Sequence, residues 1–419
     1  MSLAAISLAA LVLALVLSCT TTINIGFLAI VLAWVVGSLF GGMPLTQILS
    51  GFPTSLFLTL AGLTLLFSQA QVNGTLDRLT HRAVRGAAGA PGVIPMIFFA
   101  LTWILASIGP GHIAATALMA PLAMAAAGRY GISAFLMTIM VANGASAGSL
   151  SPISPTGVLV HDITMKMGLG DVRWIIYFNN FAAHTTIAFS GYLLLGGWKL
   201  LRKGNGTVGR LDNDAPHAGT EPFDWRHRVT CAVIAALVIG VIVFDLDPGL
   251  TAIAGAVVLT LARAADEKAA IRAMPWGVIM MVCGVTLLVT LLQRTGGMAL
   301  FADFLGKLAT PATSTAVAAF FSGVISIYSS TIGVVLPALL PTIPDLITNM
   351  GGGDALSLVS SMIIGGHLVD VSPLSTLGAL CLAAAPPGTD TRKLFNKLLA
   401  WGVSMTVVAA AVCWVFFGR

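Results

Sequence analysis

The sequence predicts an all-α polytopic membrane protein made of two inverted repeats, each with five crossings, one re-entrant hairpin and one discontinuous helix. Three observations carry that prediction. The chain of 419 residues is 57% hydrophobic and only 9% charged, against about 25% charged in an average soluble domain. Apolar runs of ~20 residues, long enough to cross a bilayer, recur from end to end. The polar word Ser151-Pro152-Ile153-Ser154 returns as Ser372-Pro373-Leu374-Ser375, and Gly157 returns as Gly378.

The apolar segments fall at 3–19, 23–40, 53–72, 92–127, 132–168 and 173–198, then at 229–245, 249–263, 275–293, 312–349, 355–386 and 393–417. The polar stretch 199–228, rich in Gly, Asn, Asp and Lys/Arg, reads as a cytoplasmic connector between repeats at 1–198 and 229–419. Punctuation residues match across the halves at an offset of 220 to 223: Gly26 with Gly249, Pro53 with Pro275, Gly62 with Gly284, Gly74 with Gly296 and Pro121 with Pro341. Apolar segments match by chance; punctuation in register over five segments rarely does.

In each half the fourth segment is too long for one helix. "ASIGPGHIAA" (106–115) interrupts the first and "ISIYSSTIGV" (325–334) the second. A helix–break–helix of that length enters and leaves a membrane on one side, so 92–127 and 312–349 are the expected hairpins. Segments 132–168 and 355–386 are crossing helices broken at the Ser-Pro words. Five crossings per half turn the second half upside down. With the connector in the cytoplasm, 16 of the 21 Lys and Arg fall inside, which supports ten crossings with both termini outside.

The net charge of +5 is scattered between apolar runs and reads as a topology signal, not a nucleic-acid surface. Cys19, Cys231, Cys283, Cys381 and Cys413 lie in or beside apolar segments without a CxxC pair and read as small buried hydrophobes.

A helix broken in lipid leaves unpaired N–H and C=O groups that cost several kcal/mol each unless a cavity or neighbouring protein satisfies them. Inverted-repeat transporters place such breaks around the substrate, with half-helix N-termini toward anions and freed carbonyls toward cations. Proline after serine removes an intrahelical donor, and serine and threonine supply neutral oxygen ligands. Two tips and two Ser-Pro words therefore predict one central site to which each repeat contributes half.

Two inverted repeats of this plan resemble the ion transporter superfamily, which includes the divalent anion/sodium symporters. The N-terminal third, including "INIGFLAIVLAWVVG", is most similar to the malonate/dicarboxylate carrier (MatC-like) family. The resemblance implies import of small, malonate-like dicarboxylates by Na⁺-coupled symport, an elevator mechanism, a homodimer and a multi-pass protein of the bacterial inner membrane. It implies no cofactor beyond the coupling ion. Divalent anion symporters carry Ser-Asn-Thr at both hairpin tips. Ser329-Ser330-Thr331 matches with Ser for Asn, whereas Gly109-Pro110-Gly111 does not, so backbone amides would replace side chains at the first tip.

The expected substrate ligands are Gly109, Pro110, Gly111, His112, Ser151, Pro152, Ser154, Ser329, Ser330, Thr331, Ser372, Pro373, Ser375 and Thr376. The expected Na⁺ ligands are Asn143, Ser149, Ser329, Ser330 and Asp370. Ionisable groups inside membrane segments are functional candidates. Asp370 fits a cation ligand or a proton carrier, with His367 beside it. His112 fits an anion contact or a titrating group. His184 lies in an uninterrupted helix and reads as structural; His161 and Asp162 approach the outer surface.

Arg and Lys are missing from the breaks, so binding a dianion there favours a co-bound cation. H⁺ coupling and a cation/proton antiporter of the same fold remain alternatives. A third reading is an intramembrane hydrolase: "GASAG" (144–148) fits G-x-S-x-G around Ser146, with His184 or His367 as its base.

Overall fold

A computed structural model describes residues 2–20, 23–76, 78–79, 91–202, 223–328, 330–386 and 388–418. Every regular element among them is helical. The first part of the chain forms α1 (Leu3–Thr20), α2 (Ile25–Val35, continued by a π turn over Val36–Phe40), α3 (Leu45–Leu49), α4 (Thr54–Val72), α5 (Ile94–Ser107), α6 (Gly111–Tyr130), α7 (Ala134–Gly148), α8 (Pro155–Lys166), α9 (Arg173–Leu194) and α10 (Gly197–Arg202). The second part forms α11 (Trp225–Val243), α12 (Pro248–Leu261), α13 (Glu267–Ala273), α14 (Trp276–Thr295), α15 (Gly297–Leu308) and α16 (Ser314–Tyr328). A π turn over Thr331–Val335 leads into α17 (Leu336–Leu339) and α18 (Ile343–Met350), followed by α19 (Ala355–Leu368), α20 (Thr376–Ala383) and α21 (Thr391–Phe417).

The described ends of the expected connector are helical, in α10 and the start of α11; residues 203–222 lie outside the described residues. Seven helices among the described residues are long and apolar enough to cross a membrane. Large apolar side chains point outward from α1, α2, α11, α12 and α21: Val12, Phe27, Trp34, Val243, Leu261 and Trp414 are all exposed. On a water-soluble protein such a surface would be an aggregation liability. Facing hydrocarbon, it costs nothing.

Several of the few acidic residues cap helix starts. Asp247 accepts from Leu250 N–H, Asp266 from Ala269 N–H, Asp354 from Ser357 N–H and Asp390 from Lys393 N–H. Each satisfies an N–H that the helix leaves open, worth about 0.5–2 kcal/mol. Asp370 is the buried exception.

Both expected interruptions break their helices. The first joins α5 to α6 through Ile108-Gly109-Pro110; the second joins α16 to the 331–350 arm. The first arms have 14 and 15 residues, about 21–23 Å at roughly 1.5 Å per residue, short of the ~30 Å hydrocarbon core. Pro337 and Pro341 lack the N–H that an α ladder needs, and the second hairpin's return arm changes to π and 3₁₀ geometry around them. Both Ser-Pro words break their helices: α7 stops at Gly148 and α8 restarts at Pro155, while α19 passes through a 3₁₀ turn (Val369–Val371) before α20 restarts at Thr376.

Contacts between the two halves of the chain are reciprocal. A methyl group on Gly26 of α2 would lie 2.1 Å from Met280 O on α14, and one on Gly284 of α14 would lie 2.1 Å from Gly26 O. The matching pair is α4 with α12, where a methyl on Gly62 would lie 2.4 Å from Gly249 O. The second helix of each repeat's apolar series thus packs backbone-to-backbone on the third of the other, as small residues allow in lipid. Within each repeat the hairpin docks alike. Gly144 on α7 lets the backbone of Phe99 approach, and Gly365 on α19 does the same for Ala319.

Candidate functional site

Tip one is built on two glycines of positive φ, Gly109 (φ 137) and Gly111 (φ 79), flanking Pro110. A side chain at Gly109 would meet the Phe67 ring at 2.1 Å. Gly111 faces Pro155, so tip one rests against the first Ser-Pro break. His112 follows and is buried.

Tip two rests against the second break through polar contacts. Thr331 Oγ1 donates to Asp370 Oδ1 at 2.9 Å, Ser375 Oγ donates to the same oxygen at 2.9 Å and Ser326 Oγ at 3.3 Å. Ser326 and Thr331 are also hydrogen-bonded to each other. Ser330 caps the return arm by accepting from Gly333 N–H. Ser329 lies outside the described residues.

The two breaks share their backbone plan. A methyl at Gly157 would lie 1.9 Å from Ser151 O, and one at Gly378 would lie 2.1 Å from Ser372 O. Only glycine lets the restarted helix fold back this closely. Their serines differ in use. Ser154 accepts from Gly157 N–H and donates to Ser151 O and Ser149 O, closing the start of α8. Ser375, its equivalent, makes no cap on α20 and turns to Asp370 instead.

The repeats meet where tip one reaches break two. The His112 and His367 rings lie edge to face with centroids 5.6 Å apart, and His184 lies 6.4 Å from His367. Ligand atoms of His112, His367 and Asp370 all fall within 4.8 Å of one another. His367 Nδ1 donates to Ile363 O at 3.0 Å, leaving Nε2 buried and without a partner. His184 Nδ1 is bonded to Asn143 Oδ1 at 2.9 Å, and its Nε2 is likewise unpartnered. Ser146 Oγ and Thr156 Oγ1 are also buried without partners. An unsatisfied buried polar group costs about 1–3 kcal/mol. His184 and His367 lie together and Thr156 lines the cavity described next, which marks a site for a ligand or water.

A cavity of about 290 Å³ opens beside this centre. Its wall includes Thr64, Ser68 and Gln71 of α4, Pro110, Gly111 and His112 of tip one, Pro155 and Thr156 of break one, and Ile332 of tip two. A second cavity, about 340 Å³, is lined by Thr286, Thr290 and Gln293 of α14, by Pro337 and Pro341, and by Asp162 and Lys166. The polar triplets Thr64/Ser68/Gln71 and Thr286/Thr290/Gln293 are repeat equivalents spaced along one helix face. The first cavity touches its hairpin tip, whereas the wall of the second begins at Pro337, beyond the Thr331 tip.

The residues expected from sequence separate into groups. Asp370, Thr331 and Ser375 come together directly, joined by Ser326, which sequence reasoning missed although it lies in the quoted interruption. Gly109, Pro110, Gly111 and His112 form tip one. Ser154 is engaged as a cap, and Ser151 and Ser372 accept from Ile153 and Leu374 N–H within their own turns. Pro152, Pro373 and Thr376 lie in the breaks themselves. Asn143 donates to Ile139 O and meets His184, and Ser149 donates to Ser146 O, so neither is hydrogen-bonded to Asp370. His184, read as structural from sequence, belongs to the histidine cluster. At the start of α9, Arg173 hydrogen-bonded to Asp171 holds that carboxyl down at about 2.

The hydrolase reading fails on geometry. Ser146 lies within α7, not at a strand–turn–helix elbow, and no histidine meets its hydroxyl.

Residues 1–149 match the family model described as dicarboxylate carrier protein MatC N-terminus. Comparison with curated proteins returned no match. The crystal structure of the YdaH transporter of Alcanivorax borkumensis, reported to have an unusual topology, is similar over 91% of this chain and 89% of that one, with a TM-score of 0.58 and 16% identity. At that identity the likeness is one of fold. The apolar helices and the likeness of fold define a multi-pass membrane protein.

Proposed function

We propose that the chain is a secondary active carrier that imports small dicarboxylates, malonate-like first, together with a cation. The family match over residues 1–149 carries this reading. The cavity beside tip one is its substrate site, lined by hydroxyls, backbone breaks and one histidine, with no Lys or Arg in its wall. A dianion there requires positive charge from elsewhere, and a co-transported cation supplies it.

Na⁺ is the coupling ion in this reading. Asp370 with Ser326, Thr331 and Ser375 offers a carboxylate and three hydroxyls, oxygen donors that suit a hard cation. The uncapped start of α20 adds N–H groups beside it for the substrate's charge. H⁺ is the second reading, favoured by the closeness of His112 and His367 to the same carboxylate. The repeats are inverted, with ten crossings, two re-entrant hairpins and both termini outside, in a bacterial inner membrane. Hairpins and broken helices move as an elevator in a homodimer. The paired cavities, one touching its tip and the other not, support one-sided access.

The test is uptake of radiolabelled malonate and succinate into proteoliposomes, with Na⁺ and H⁺ gradients imposed separately. Uptake driven by Na⁺ alone is expected. Uptake driven by H⁺ alone would keep the carrier and replace the ion. No uptake of either substrate under either gradient would overturn the dicarboxylate reading.

A further inference from the structure

We propose that His112, His367 and Asp370 form a binding site for a divalent transition-metal ion at the junction of the two repeats. Their three ligand atoms lie within 4.8 Å of one another, and all three residues are buried. The donor set is two imidazole nitrogens and one carboxylate oxygen. That set suits Zn²⁺, Co²⁺ or Ni²⁺, whereas Na⁺ and Mg²⁺ prefer oxygen alone. It is thus chemically distinct from the hydroxyl cage, which converges on Oδ1 of Asp370 and leaves Oδ2 outside that set.

Two further observations point to a ligand. His367 Nε2 is fully buried and without a hydrogen-bond partner. Its other nitrogen donates to Ile363 O, the arrangement by which metal-binding histidines fix their tautomer and aim the free nitrogen. A tetrahedral ion with bonds of about 2.0–2.2 Å needs donor atoms roughly 3.3–3.6 Å apart, so binding would tighten a set that lies within 4.8 Å. His112 belongs to both the cluster and the cavity wall. An ion held there joins the first hairpin to the second broken helix and stands at the edge of the cavity. A chelating dicarboxylate in that cavity would find open coordination positions.

The experiment uses the tag-free full-length protein in detergent, titrated with Co²⁺ and followed by its visible d–d absorption, with Zn²⁺ as competitor. Stoichiometric Co²⁺ displaced by Zn²⁺ is expected. His112→Asn and His367→Gln should each weaken binding more than about 100-fold, beyond the 10–100-fold typical of second-shell partners. His161→Gln, on α8 and outside the histidine cluster, should leave it within a few-fold. Monodisperse elution and an unchanged metal-free melting temperature show that each variant is folded. Should His112→Asn misfold, His367→Gln decides alone. Absence of Co²⁺ absorption, or equal binding by the double variant, overturns the site. The outcome is independent of the carrier reading: metal binding without malonate uptake keeps the site and removes the carrier, and uptake by chelator-treated protein that binds no Co²⁺ does the reverse.

Discussion

The two Ser-Pro breaks have one backbone plan and two chemistries. In both, a glycine six residues after the first serine lets the restarted helix return onto that serine's carbonyl. In the first break the surrounding positions are neutral, and its serines bond among themselves and to the backbone. In the second, Asp370 stands where Ser149 does, and His367 where Ser146 does. That exchange of two residues draws Ser375 off its helix cap and gathers Thr331 and Ser326. The lesson is that one backbone plan serves both breaks, and two residue differences concentrate the ionisable chemistry in the second. The first repeat returns a different contribution, His112 from its hairpin tip and His184 from α9.

The largest effects test the shared plan. Gly157→Ala and Gly378→Ala each place a methyl about 2 Å from a carbonyl oxygen that the helix restart fixes. Both should lose folded protein, seen as collapse of the monodisperse peak in size-exclusion chromatography. If one repeat accepts the methyl, the two breaks are not equivalent.

Next comes the chemistry that differs. Asp370→Asn removes the only carboxylate of the centre and should weaken cation-dependent uptake by roughly 100-fold or more, about 3–5 kcal/mol. Ser149→Ala, at the equivalent position, removes one hydroxyl bonded to its own turn and should change uptake by less than about 5-fold, near 1 kcal/mol. Equal losses from both variants would mean that the first break also holds the cation.

The paired serines give a smaller, crossed result. Ser154→Ala removes a helix cap and should cost about 0.5–2 kcal/mol of stability, read as a lower melting temperature with an unchanged cation KM. Ser375→Ala removes a carboxylate partner and no cap, so it should raise the cation KM and leave the melting temperature nearly unchanged. The reverse pattern would exchange their roles.

The smallest effect contrasts a loop carboxylate with the buried one. Asp171 is paired with Arg173 and about half exposed. Its pKa is lowered to about 2 from 3.8 by the Arg173 hydrogen bond. The pair's contribution is therefore complete above about pH 4 and lost as pH falls through about 2. Asp171→Asn should shift stability by less than about 1 kcal/mol, with no pH dependence between 5 and 8 in thermal melts.

Some of this was legible in the residues before any coordinates. Gly26, Gly62, Gly249 and Gly284 were visible as matched punctuation, and they are the reciprocal contacts between repeats. The same offset aligns Ser149 with Asp370 and Ser146 with His367, so the asymmetry was available to a reader who compared positions as well as motifs. Ser326 was not singled out because a serine one helical turn before a break looks like any small residue in a packed helix. His184 read as structural, since nothing in α9 interrupts the helix around it.

The sequence by itself determined the class, the helices, the four interruptions and the matched punctuation of the two halves. These follow from composition, length and punctuation, which act locally through hydrophobic burial, the missing proline N–H and the missing glycine side chain. Only the tertiary structure decided which polar groups meet. His112 and His367 are 255 positions apart in the chain, and their rings come within 5.6 Å because a hairpin of one repeat packs against the broken helix of the other. Hydrogen bonds and coordination act over a few ångströms, and only packing brings residues so far apart in the chain within that reach.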